Sequence, residues 1–177
     1  MPPLTTPPGL LPRGAAELVE HFSAACDRRL VEELEAAREE LAALPVRRRV
    51  ARALRTRLEM NGVHAASWAQ ALSLQAYPAN AAQALRQRAG VVDEVWSRAG
   101  DTSTDALSWY LKRGALLGVY STTEVYMVTD LTPAFGATWA HLDGLLEQSW
   151  ELGKKGGEAL ELAKTMARRQ GPAPRQA

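Results

Sequence analysis

A single cysteine, Cys26, stands in 177 residues, so the chain builds no internal disulfide framework and no cysteine-cluster zinc site. Within an apolar helical pattern it reads as a small core side chain. An excess of one charge is missing too: 21 Lys and Arg face 20 Asp and Glu, a formal net charge of +1, and no global pull toward nucleic acid follows. Apolar runs long enough to cross a bilayer are absent. Asn61 to Leu85 carries no formal charge but is interrupted by Gln70, Gln75, Pro78, Asn80 and Gln83, and Gly114 to Val128 is short and contains Glu124. Phosphate-cradling glycine loops and paired Cys/His metal spacings do not occur, and none of His21, His64 and His141 follows a glutamate by three residues, as a di-iron carboxylate bundle requires. No catalytic residue, metal ligand or cofactor is therefore expected. Asp101 and Asp105 are paired acids, read as satisfying orphan N–H groups at a helix start.

The remaining pattern is helical throughout. Residues 1–14 hold five prolines and form neither a signal nor a transit peptide; they read as a disordered lead-in. From Ala15 to Leu44, Leu18, Phe22, Cys26, Leu30, Leu34, Leu41 and Leu44 recur mostly at three- or four-residue steps, predicting one long amphipathic helix ended by Pro45. Val46, Val50, Leu54 and Leu58 predict a second, closed at Asn61-Gly62. Further helices are expected at about 65–76, 79–99 and 105–128. Another opens at Thr132-Pro133 and carries Phe135, Trp139, Leu142, Leu146 and Trp150. Lys154-Lys155-Gly156-Gly157 is expected to break the pattern before a last helix, Glu158 to Arg169, and a tail at 171–177. The expectation is an all-α bundle of six to seven helices, with a domain at 15–152 and a hinge plus amphipathic helix at 153–170.

Several stretches carry more than fold. Six arginines within eleven residues, at 47, 48, 49, 52, 55 and 57, fit a solvated, salt-bridged face better than a phosphate-binding one. On the helix from Asp105, the 100° step puts Asp105, Trp109, Lys112, Arg113, Leu116, Tyr120 and Thr123 on one side. Leu107, Leu111, Gly114, Gly118 and Val125 fall on the other, taken as the core side. Trp109 then lies with the charges. Either a cation stacks on its ring against a neighbouring helix, or it is a docking anchor. Gly114 and Gly118 allow close backbone packing or leave a cavity for an apolar ligand. Thr122, Thr123 and Glu124 bond backbone and neighbouring side chains or meet a ligand's head group. The last helix sets Leu160, Leu162 and Met166 against Glu158, Glu161, Lys164, Arg168 and Arg169, a pattern that packs on its own bundle or lies in a membrane interface.

A-G-D-T-S-T-D, W-Y-L-K-R, V-Y-S-T-T-E-V-Y-M-V-T-D and T-W-A-H-L-D occur in this order. Together they resemble the accessory lipid-binding family of ubiquinone (coenzyme Q) biosynthesis over roughly Gly14 to Leu160. The resemblance implies a TetR-like helical fold, here without most of the N-terminal helix-turn-helix-like module, in a homodimeric, non-enzymatic protein. Such a protein holds isoprenoid lipids and ubiquinone precursors and sits peripherally, with phospholipid, on the matrix side of the mitochondrial inner membrane. It presents substrate to the demethoxyubiquinone hydroxylase. By resemblance, Asp105, Trp109 and Tyr110 contact that hydroxylase, and Arg113 stands at a lipid entrance, with Leu116, Leu117 and Tyr120 expected on the pocket. Leu160, Leu162 and Met166 face the membrane. One residue more than the family's spacing separates Asp105 from Trp109, which still share a face at i,i+4. A ligand-responsive TetR-type transcription regulator is the alternative, disfavoured by the missing DNA-reading helices and the near-neutral charge.

Overall fold

The computed structural model describes residues 13–101 and 106–169, without the side chains of 159–164 and 166–169. Among them, helices α1 (Ala15–Ala36), α2 (Arg38–Ala42), α3 (Val46–Gly62), α4 (Ala65–Ala76), α5 (Pro78–Ala99), α6 (Ala106–Thr129) and α7 (Gly136–Arg169) follow one another, with a 3-10 turn at Pro133–Phe135 before the last. The architecture is an all-α bundle, as the periodicity requires.

Local chemistry sets most boundaries. Pro45 and Tyr77 hold extended ψ values of 148° and 138° at the starts of α3 and α5, and Pro78 is the first residue of α5. Gly100 takes a left-handed φ of 84° after α5, and the Asp101 N–H turns back to the Trp96 carbonyl at 3.1 Å. Gly62 has another role. A Cβ there would sit 2.9 Å from Met127 Cε and 3.0 Å from Phe135 Cε2, so its bareness lets α6 and the 3-10 turn close on α3.

The core is built from Leu30 and Leu34 of α1, Val50, Leu54 and Leu58 of α3, Val91, Val92 and Val95 of α5, Leu116, Val119 and Tyr120 of α6, and Leu142 and Leu146 of α7. Within α6 the buried residues are Leu116, Val119, Tyr120, Thr123, Glu124 and Met127. This reverses the sequence expectation for that helix. Leu107, Leu111 and Val125 are exposed, as are Gly114 and Gly118, where an added Cβ would meet nothing within 4 Å. Thr123 and Glu124, polar residues in an otherwise apolar helix, are both inside, so the apolar stripe opposite faces out.

Two boundaries also differ. The long first helix is divided at Ala37, whose φ of −91° and ψ of 11° leave the helical range and start the short α2. Conversely, α7 passes through Lys154-Lys155-Gly156-Gly157 without interruption for 34 residues, about 50 Å of helix. Mid-helix glycine costs only about 1 kcal/mol against alanine. It weakens a helix without forcing a hinge.

The turn into α7 carries left-handed backbone at two non-glycine residues, Ala134 (φ 52°) and Phe135 (φ 58°). Trp139 Nε1 donates to the Ala134 carbonyl at 2.8 Å. Asp130 accepts from the backbone N–H groups of Thr132 (2.8 Å) and Thr138 (2.7 Å) and from both hydroxyls at 2.6 Å. The hydroxyl bonds of Thr132 and Thr138, before any other cause, hold the Asp130 carboxyl far below the usual carboxylate range. A depressed folded-state pKa contributes stability that is present above the unfolded value, about 4, and is lost as pH falls through the folded value. Asp130→Asn should therefore flatten the stability-versus-pH curve below about pH 4. An acid slope unchanged from wild type in denaturant titrations would contradict this assignment.

Candidate functional site

Continuing the buried row of α6 toward its N-terminus leads from Tyr120 and Leu116 to Arg113 and Trp109, where the helix runs out of core. Arg113 does not project freely there. Its Nε donates to Asp93 at 2.7 Å, its Nη1 to Asp101 at 3.0 Å, and its guanidinium carbon lies 3.8 Å from the Trp109 ring centroid. The Asp101 side chain is only 4% exposed and accepts from Lys112 Nζ at 3.0 Å as well. Gly100 aims it there. Asp101 binds the two cations of W-Y-L-K-R; the helix start it was expected to serve begins outside the described residues.

Trp109 is the stacked ring of the first alternative and is also partly exposed. Arg113 covers one face of the ring and Tyr110 meets it in a T-shaped pair at 4.8 Å, yet Trp109 remains 37% exposed and Tyr110 69%. Asp105 lies outside the described residues.

Beside this patch an open trough of about 760 Å³ runs between α6 and α7. Leu107, Leu111 and Leu116 form one wall, and Leu146, Trp150 and Leu152 the other. Trp96 closes its base, stacked on Trp150 at 5.7 Å and 25°, with Lys112 Nζ 5.5 Å above the Trp96 ring. Gly153, Gly156 and Gly157 also line it, and a Cβ at any of them would meet nothing within 4 Å. The glycines expected to form a hinge instead leave this helix face bare. Fold and trough define a class: an all-α bundle with a long apolar trough opening beside an aromatic surface patch.

Comparison with known proteins is specific. Residues 81–153 match the family model described as COQ9. The chain is 35% identical over 151 residues to "Ubiquinone biosynthesis protein COQ9, mitochondrial" of Xenopus tropicalis, covering 82% of this chain and 47% of that protein. It is 33% identical over 159 residues to the protein of the same name from Homo sapiens (84% and 50%), and 34% over 148 residues to that of Drosophila melanogaster (81% and 44%). The chain belongs to the COQ9 family across this shared part, and spans about half the length of the relatives it matches.

The residues named from sequence separate in space. Leu116 lines the trough, whereas Leu117 packs against the core and Tyr120 is buried within it, its phenol pushed up by burial. Arg113 is held by its two carboxylates and is not among the trough's lining residues. Leu160, Leu162 and Met166 lie on α7, but their side chains are outside those described. Sequence reasoning missed Trp96 and Trp150 as partners; each continues its own helix's apolar row, and nothing in that row says where it meets the other. The arginines of α3 are a salt-bridged face, with Arg47 on Glu147, Arg52 on Glu40 and Arg55 on Glu59. Two depart from that reading: Arg49 donates to the carbonyls of Ala42, Leu44 and Ala99, and Arg57 is buried against Asp27 and Asn61.

Replacing Arg113 tests how the patch is held. Arg113→Ala removes one of the cations that the buried Asp101 binds and should lower stability by about 1–3 kcal/mol in urea titrations. Arg113→Lys should recover only part, because an ammonium cannot join two carboxylates and stack flat on an indole together. Unchanged stability in Arg113→Ala would contradict this arrangement.

Proposed function

We propose that this chain is a non-enzymatic lipid-binding component of ubiquinone biosynthesis, holding isoprenoid quinone precursors and presenting them to the demethoxyubiquinone hydroxylase. The observation that carries the reading is the apolar trough between α6 and α7, opening beside exposed Trp109 and Tyr110. Membership in a family whose members are named for mitochondrial ubiquinone biosynthesis supplies the pathway.

The physical logic is transfer without crossing water. An isoprenoid chain gains roughly 25 cal/mol for each Å² of apolar surface covered, so a trough lined by leucines and tryptophans competes with a bilayer at modest cost. Among the described residues no helix is long and apolar enough to span a membrane. The proposed contact is peripheral, through the end of α7 with Leu160, Leu162 and Met166, on phospholipid of the matrix side of the inner membrane. Trp109 and Tyr110, with Asp105, dock the hydroxylase, and the protein works as a homodimer. Its contribution to rate is delivery of substrate.

Two substitutions separate these roles. Leu111→Glu places a carboxylate in the trough at a position already 62% exposed, so the fold should survive while co-purifying isoprenoid falls about tenfold or more. Trp109→Ala should leave lipid content alone and weaken hydroxylase association about tenfold or more in a binding titration. Lipid content unchanged by the first, or association unchanged by the second, would remove the corresponding role.

A further inference from the structure

The α6–α7 trough differs from end to end. One end is closed by Leu116, Leu146 and Trp96, all core residues, whereas Leu107, Leu152, Gly156 and Gly157 leave the other open to solvent. From Leu107 to Leu116, at 1.5 Å per residue, the covered stretch is about 14 Å. An extended isoprene unit spans about 4–5 Å, so about three units fill it. A longer tail cannot pass the closed end. Were the tail terminus buried there, the remaining units between trough and head would lie in water, which apolar surface resists. With the head buried first, the tail instead leaves over the bare glycine face of α7, toward the end of that helix.

The residues at the closed end suit a flat head. Trp96 is engaged by Trp150, stacked at 5.7 Å, and by Lys112 Nζ, 5.5 Å from its centroid. Trp150 is half-buried, lines the trough, and carries no other ring and no cation among the described residues. A planar ligand ring can stack on it, a contact that contributes beyond the area it covers. Lys112 Nζ is held beside this platform by the buried Asp101 carboxylate at 3.0 Å, and an ammonium is a strong donor to a carbonyl oxygen. The other lysine on the trough, Lys154, is exposed and paired with Glu151. We infer that, given the function proposed for this trough, it takes its quinone-type ligand head first, the ring lying on Trp150 and a ring carbonyl accepting from Lys112. Lys112 is one helical turn from Trp109, so the buried ring lies close to the docking patch.

Titrating the full chain with a farnesyl-substituted 1,4-benzoquinone and with farnesene, the same tail without a head, tests this directly. The quinone should bind at least about tenfold more tightly, a difference of about 1.4 kcal/mol. Trp150→Leu and Lys112→Met should each cut that preference about three- to tenfold. Bound quinone should also quench indole fluorescence, and Trp150→Leu should remove more of the quenching than Trp109→Phe does. Equal affinities for the two ligands, a preference kept in both variants, or losses shared equally by quinone and farnesene would overturn the inference while leaving the trough as an isoprenoid site. Quenching that survives Trp150→Leu and falls with Trp109→Phe would overturn it too, by putting the ring at the open end. If neither ligand binds, the function proposed for the trough fails, and the inference with it.

Discussion

Glu124 is a buried carboxylate that four helices share. It rises from α6 and is reached by Asn61 of α3, Trp68 of α4 and Arg88 of α5. Asn61 in turn accepts from Arg57 Nη1 at 2.7 Å, whose Nε donates to Asp27 of α1 at 2.8 Å. Burial raises the Asp27 carboxyl against the pull of Arg57. Removing one member of such a chain strands the rest, typically at about 3–5 kcal/mol. Leucine and valine can be exchanged between packing arrangements; donors and acceptors with fixed directions cannot. The network therefore sets the rotation of α6, and with it which face of that helix points outward.

Everything proposed for function follows from that rotation. With Glu124 and Thr123 inside, Leu107, Leu111, Gly114, Gly118 and Val125 must face away from the core. Arg113 emerges where Asp93 and Asp101 can clamp it, and its flat face props Trp109 at the surface. α7 then lies alongside with its glycines over the exposed leucines, so the trough is a consequence of missing side chains along an unbroken helix.

Much of the fold was legible. Apolar residues at three- and four-residue steps, Pro45, Pro78 and Gly100 located most helices because those signals act within a turn or two. The rotation of α6 was not legible from hydropathy, since the buried row contains Thr123 and Glu124 and the exposed row contains leucines. Glu124 is held by partners 36 to 63 positions away in sequence, Arg88 and Asn61 among them, while Thr123 closes its hydroxyl on the Val119 carbonyl. Trp96 and Trp150 escaped for the same reason. Trp109 was legible as an unusual residue, and the stacked cation weighed for it is Arg113; the carboxylates that fix that cation come from α5 and the turn after it.

The central claim is that the α6–α7 trough carries an isoprenoid. Native mass spectrometry of protein purified without added lipid measures this most directly, reporting bound mass and oligomeric state in one spectrum. The account predicts a dimer carrying a releasable isoprenoid or quinone precursor, with the bound mass lost when Leu111 is replaced by Glu. A spectrum of lipid-free protein, or a bound lipid indifferent to that substitution, would contradict it.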